Sequence, residues 1–307
     1  MIENNTVFVL GAGASCSYGF PSGENLKKEA VSAVKDDFSS FLLLGTYRVV
    51  PNEEVQRSKC MAFAEALSHA GQASIDAFLY ANRHQKGFDA IGKAAIAQVL
   101  LRYEDEVSDE SDDDWLGYLF KIMIDGISSP DQFIAQNNVS FITFNYDRFL
   151  EKWLYKRIKH SFGLDDSSAL SVLSKIPIHH VYGILGSFPS PDQDHPSPWV
   201  VASTGIKTIF DVEKNVMAPE ESKSLLLNAN VICLLGFGFH RENIDLLDLV
   251  SCSNKCKKRN GVVAASRYDL SEVEIKRLLR PFEDFIDFKL SPKDHRCLMA
   301  IRNLPIF

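Results

Sequence analysis

Apolar residues in this chain fall into two patterns. The first is the short continuous run, apolar at successive positions instead of alternate ones. Residues 6–10, Thr-Val-Phe-Val-Leu, are such a run, and the pattern suits a strand covered on both faces of a parallel sheet. Comparable strand signals return at 139–143, 176–182, 231–235 and 261–265. The second pattern has helical spacing. It occupies 24–34, behind Ser22 as a helix-capping residue, then 58–70, 73–84, 88–103 and 115–127 with no strand between them. Further helical segments, at 147–159, 219–229, 242–252, 270–280 and 292–303, separate the later strands.

Strands that alternate with helices predict an α/β fold, a Rossmann-like parallel sheet flanked by helices. The strand-free stretch predicts a helical insertion over 38–130, after the first strand-helix unit, within a single domain of 1–307. Two stretches predict irregular chain. The run 104–114, EDEVSDESDDD, has eight acidic residues and no base, and predicts a mobile, solvated and dispensable connection. The proline-rich stretch 188–199 predicts an ordered loop over the sheet edge.

Composition narrows the class. The 307 residues are 46% hydrophobic and 24% charged, enough to bury a sizeable core. No apolar run reaches the ~20 residues of a membrane span, and the start, MIENNTVFVL, lacks a secretion signal, so a cytoplasmic protein is expected. The net charge of −7 disfavours direct nucleic-acid binding, since the one basic cluster, 255–259, is short enough to be a solvated loop. Six scattered cysteines suggest reduced thiols.

The first strand runs into Gly11-Ala12-Gly13, where a side-chain-free backbone can approach a pyrophosphate and tolerate positive φ, with a helix N-terminus following. Cys16 stands where the dehydrogenase fingerprint has its third glycine, and no acidic residue follows on an early second strand, so a hydride-transfer domain is disfavoured. Serine hydrolase, P-loop and zinc-protease motifs are absent from the sequence.

The longer string Gly11-Ala-Gly-Ala-Ser15-Cys-Ser-Tyr-Gly19-Phe20-Pro21 resembles the signature of the sirtuin (SIR2) family. Thr143-Phe-Asn145-Tyr-Asp147 and Leu235-Gly236-Phe237-Gly238 match two further family segments in the right order. Ser22-Gly23-Glu24 replaces the Asp-Phe-Arg of the deacylases, and Cys252-x-x-x-Cys256 alone cannot close their four-ligand zinc site, so no metal is expected. The chain is thus most similar to the SIR2-like NAD-consuming domains of bacterial anti-phage defence.

That resemblance implies an NAD⁺ glycohydrolase with NAD⁺ as substrate and water as acceptor, depleting cellular NAD⁺ in abortive infection. It implies a nucleotide site of Gly11, Ala12, Gly13, Ser15, Phe20, Pro21, Thr143, Gly183, Gly236, Phe237 and Gly238, with Asn145 beside the nicotinamide ribose and Asp147 near the carboxamide. In the family's histidine slot stands Tyr182, preceded by His179-His180-Val181. Strand alternation puts His180 and Tyr182 on one face and His179 on the other, and His180 is the expected general base. His179 and Tyr182 stay open for that role. So do a catalytically silent NAD or ADP-ribose sensor, a protein deacylase and an ADP-ribosyltransferase. For Asp76, in Ser74-Ile-Asp-Ala-Phe78, two readings stand, an acid facing the cleft from the insertion and a helix-surface acid, and the second is expected. Control is expected from a homo-oligomer and a separate regulatory protein, an ATPase or Argonaute-type protein in the resembled group.

Overall fold

The computed structural model describes residues 1–37, 41, 53–106, 108, 111–189, 198–214, 217–267, 271–280, 282, 289–290 and 296–303. Strand β1 (Ile2–Leu10) is buried throughout Thr6–Leu10, as its unbroken apolar run requires, because it pairs on both sides. The chain then forms a five-residue helix, α1 (Ala12–Cys16), turns at Gly19 with φ 99°, and enters α2 (Gly23–Asp36), where the Ser22 side chain accepts from Asn25 N.

The helical insertion comprises α3 (Glu53–His69), α4 (Ile75–Ala81) and α5 (Phe88–Glu106). Phe63, Phe78 and Phe88, one from each helix, pack with ring centroids 5.3–6.1 Å apart. Helices α6 (Trp115–Ile124) and α7 (Pro130–Ala135) lead into β2 (Asn137–Thr143). Then come α8 (Phe149–Phe162), stopped by Gly163 in the left-handed region, α9 (Asp166–Leu173) and β3 (Ile178–His180).

Beyond β3 lie α10 (Pro198–Ser203), α11 (Ile209–Lys214), α12 (Met217–Asn228), β4 (Val231–Leu235), α13 (Arg241–Leu246), α14 (Leu249–Lys258), β5 (Val262–Ala265), α15 (Glu272–Leu279), β6 (Lys289–Leu290) and α16 (Cys297–Arg302). All strands pair in parallel in the order β3-β2-β1-β4-β5-β6. This is a Rossmann-like α/β sheet, with the direction of winding reversing between β1 and β4. One continuous hydrophobic core joins Phe8, Phe141 and Leu234 of the sheet to Phe63, Phe78 and Trp115 outside it.

Several expectations are corrected. The acidic run is solvated only in part: Asp105, Glu106, Ser108 and Asp112 are exposed, but other acids of the run are tied into the fold. The Glu104 side chain is 1% exposed and pairs with Arg148 and Lys152 at 2.7 and 2.6 Å. Asp113, 6% exposed, accepts from Ser17 Oγ at 2.9 Å and from the backbone of Cys297 and Leu298 at 3.1 and 2.9 Å. Asp114 caps α6 through Gly117 N and accepts from the Tyr18 hydroxyl. Each buried acid has its own donor far away in sequence, so the charge density of the run says nothing of its burial. Residues 107, 109 and 110 of the run lie outside the described residues.

The basic cluster 255–259 is the C-terminal turn of α14, not a loop. There Lys255, Lys257 and Lys258 suit the helix dipole, and Arg259 donates to Ala229 O at 2.8 Å. The helix expected over 242–252 is two helices, divided at Asp248, which has φ 48°. β3 is shorter than 176–182, because Ile176 closes the turn after α9 and Pro177 has no N–H to give the ladder. Of the proline-rich stretch, 190–197 lie outside the described residues, and 198–203 are α10. All six cysteines are free thiols. Cys252 and Cys256 are buried on α14 with their sulfurs against backbone carbonyls, which is a structural role. Among the described residues no helix is long and apolar enough to cross a membrane.

Candidate functional site

The sheet register builds the site. Leu10, the last residue of β1, lies level with Thr143 and Leu235, so three loops leave the sheet side by side at the carboxyl ends of β1, β2 and β4. The backbones lock: Gly11 N donates to Leu235 O at 3.0 Å, Gly13 N to Gly236 O at 3.1 Å, and Phe144 N to Leu10 O at 2.9 Å. A Cβ on Gly11 would sit 2.5 Å from Gly236 O, and one on Gly236 would sit 2.0 Å from Ala14 N. These glycines are needed because two loops touch through their main chains. Positive φ falls on Gly19 and Gly236, whereas Gly11 has φ −110° and Gly13 is helical, which corrects the expected use of positive φ at the first turn.

A cavity of about 470 Å³ opens where the loops meet, at the switch point where open parallel sheets bind ligands. Gly11, Ala12, Gly13 and Ser15, with Phe20 and Pro21, line one side; Asn145 and Asp147 line the second; Gly236, Phe237 and Gly238 line the third. Phe144 packs between Tyr182 and Phe237, each centroid 5.5 Å away, edge-on to the first at 65° and tilted to the second at 51°. Thr143, Gly183 and His180 do not line the cavity. Thr143 Oγ1 accepts from Asn145 N at 3.0 Å and so shapes the turn behind it. Gly183, at φ 73°, has Gly205 O where a Cβ would go, 2.1 Å away.

The Asn145 amide has a defined orientation. Its Nδ2 donates to Gly11 O at 3.2 Å and to Ser15 Oγ at 3.0 Å, and a carbonyl can only accept. Oδ1 is then the atom left to meet a hydroxyl or water in the cavity. Asp147 is 7% exposed; it accepts from Phe149 N at 3.2 Å and Ser15 Oγ at 3.4 Å. Burial, aided by the Glu104 charge, pushes its carboxyl up to about 7.

His180, the expected general base, does not line the cavity. Its Nδ1 lies 2.9 Å from Asn145 O and its Nε2 2.7 Å from Glu151 Oε1. Both partners are acceptors, an arrangement that favours a ring protonated on both nitrogens. Burial opposes that charge, but the Glu151 hydrogen bond and carboxylate outweigh it and hold the imidazole above its usual value. Strand alternation does hold: His180 faces α8, and His179 faces Ser222 of α12, 3.4 Å away.

Further polar residues line the cavity beside the expected nucleotide set. Tyr182, left open above as a base, does so with its hydroxyl on Asn243 Oδ1 at 2.7 Å, and His240 and Glu242 follow from the β4 turn. The sequence signal for His240 and Glu242 is closeness to Gly238. Asp76 also lines it. It is a cavity-lining acid on α4 rather than a surface one, and it accepts from the Tyr146 hydroxyl. Among the described residues no cluster of His, Cys, Asp or Glu could hold a metal ion. Comparison of the chain with protein-family models gives no match, and comparison with curated proteins gives none.

Proposed function

We propose that this chain binds NAD⁺ at the β1–β4 switch point and hydrolyses its glycosidic bond to release nicotinamide and ADP-ribose. The observation that carries the reading is Asn145, an amide pinned by Gly11 O and Ser15 Oγ with Oδ1 left for the cavity at the carboxyl ends of β1, β2 and β4. In this reaction the C1′–N bond breaks toward an oxocarbenium-like ribose, and the ring nitrogen takes the electron pair, so a neutral base leaves. The protein has to hold the ribose and admit one water, which is orientation chemistry needing no metal. Asn145 Oδ1 accepts from that water or from a ribose hydroxyl, and Phe144 and Phe237 supply an apolar surface. His180 acts behind Asn145, fixing its carbonyl, as a positioning residue.

Unrestrained, such an activity would drain the NAD⁺ of its own cytoplasm, in keeping with the resemblance to abortive-infection proteins. Its control then lies with a partner protein or with self-assembly. A second reading, binding without turnover, is favoured by Tyr182 in the family's histidine slot and by the doubly bonded His180. Free nicotinamide, measured chromatographically with purified chain and in cells overproducing it, separates the two. Release without any acylated peptide supports hydrolysis, release only with that peptide means a deacylase, and a calorimetric NAD⁺ isotherm with no release leaves a sensor.

A further inference from the structure

The β1–β4 cavity holds a carboxylate that the resemblance does not supply. Ser74 caps α4 by accepting from Ala77 N at 3.2 Å, which sets the first turn and aims Asp76 at the cavity from the insertion. The Tyr146 hydroxyl donates to Asp76 Oδ1, and Tyr146 is itself 4% exposed between Asn145 and Asp147. The insertion and the β2 turn therefore meet through one buried tyrosine, beside the amide proposed to orient the water.

Resting on the hydrolase reading above, we propose that Asp76 is the general base, accepting the proton of the water that attacks the ribose of NAD⁺. Three rival groups are otherwise engaged: His180 does not line the cavity and has both nitrogens against acceptors, both carboxylate oxygens of Asp147 accept from the protein, and Tyr182 donates to Asn243. His240 and Glu242 also line the cavity, but both are exposed, on the turn after β4. In the step, C1′–N breaks with its electron pair going to nicotinamide, the water oxygen bonds to C1′, and one water proton passes to Asp76 and then to solvent. Burial raises the Asp76 carboxyl to about 6, against the pull of the Tyr146 hydroxyl, so near neutrality it is ionised and more basic than an ordinary aspartate. Tyr182 and Asp89 are the other titratable groups that bear on the Tyr146 end of this pair, and Asp89 is paired with Lys93 at 2.9 Å.

The test is Asp76→Asn, which keeps the shape and the acceptor for Tyr146. Its kcat for nicotinamide release should fall at least ~100-fold while ADP-ribose affinity stays within several-fold. The acidic limb of the wild-type kcat/KM profile, near pH 6, should be missing from the residual activity. Asp76→Glu, restoring a base, should recover part of the rate, which separates loss of a base from loss of fold. A normal rate and limb in Asp76→Asn would overturn the assignment and leave the hydrolase standing. A wild type that binds NAD⁺ and releases no nicotinamide, purified or in cells, would overturn both.

Discussion

Asn145, Asp147 and His180 belong to one hydrogen-bonded patch, yet ionisation of Asp147 and of His180 works in opposite directions on stability. Asp147 has its folded value raised to about 7, above the unfolded one, so the unfolded chain gains from ionising first as pH rises from ~4 to ~7. Asp147→Asn should therefore stabilise the protein by roughly 1–3 kcal/mol at pH 8, and by much less at pH 4, in thermal melts. His180 is raised in the folded state, so its contribution is complete below ~6.5 and fades as pH climbs through the folded value. His180→Gln should cost more stability at pH 6 than at pH 9, since Glu151, whose Oε2 has no hydrogen-bond partner among the described residues, loses the cation paired with its Oε1 there. An equal cost at both pH values would mean a neutral imidazole, and would reopen His180 as a base. Asn145→Ala should lower nicotinamide release by at least ~100-fold, read beside an NAD⁺ isotherm. Turnover unchanged in that variant would end the hydrolase reading.

At the scale of elements, the acidic segment and the glycine loops decide what can be altered. Glu104→Ala leaves the Arg148 guanidinium, 6% exposed, without its carboxylate and should cost roughly 3 kcal/mol in urea unfolding. Asp105→Ala and Glu106→Ala, whose side chains are exposed, should stay within about 0.5 kcal/mol. Equal effects in all three would restore the solvated connection. Gly13→Val would drive a branched side chain onto Gly236, where even a Cβ lies 2.7 Å from its Cα. It should lower the melting temperature as well as abolish nucleotide binding; lost binding with an unchanged melt would show that the close contact matters only to the ligand.

The core strands are legible in the sequence where an apolar run has clear ends, as at 231–235, which is β4 residue for residue. β6, two residues long, has no pattern to find, and α9, DSSALSVL, is short and polar, held by the Asp165 cap more than by an apolar stripe. In the site, Gly11–Ser15, Asn145 and Gly236 were legible because the backbone chemistry is local. Asp76 was legible only as the less favoured of two readings, and Glu104 and Asp113 not at all, since their partners Tyr146, Arg148 and Cys297 are 70, 44 and 184 positions away.

Over the whole molecule, one core spans sheet and insertion. Heat or urea should therefore unfold both together, with fluorescence of Trp115 and Trp153 and far-ultraviolet dichroism following one transition; separate transitions would make the insertion an independent unit. The place of β1 between β2 and β4 also sets an order of events during synthesis. β1 leaves the ribosome first, but the strand that fills its second edge begins about 220 residues after Leu10. At ~5–20 residues per second, its apolar run waits on the order of 10–40 s for that partner, a window in which a nascent chain needs a chaperone or slow, cool expression. Gly13 meets Gly236 only after that wait. A translation product cut short before residue 236 has no closed cavity, so the site comes into being only when the loop after β4 has been made.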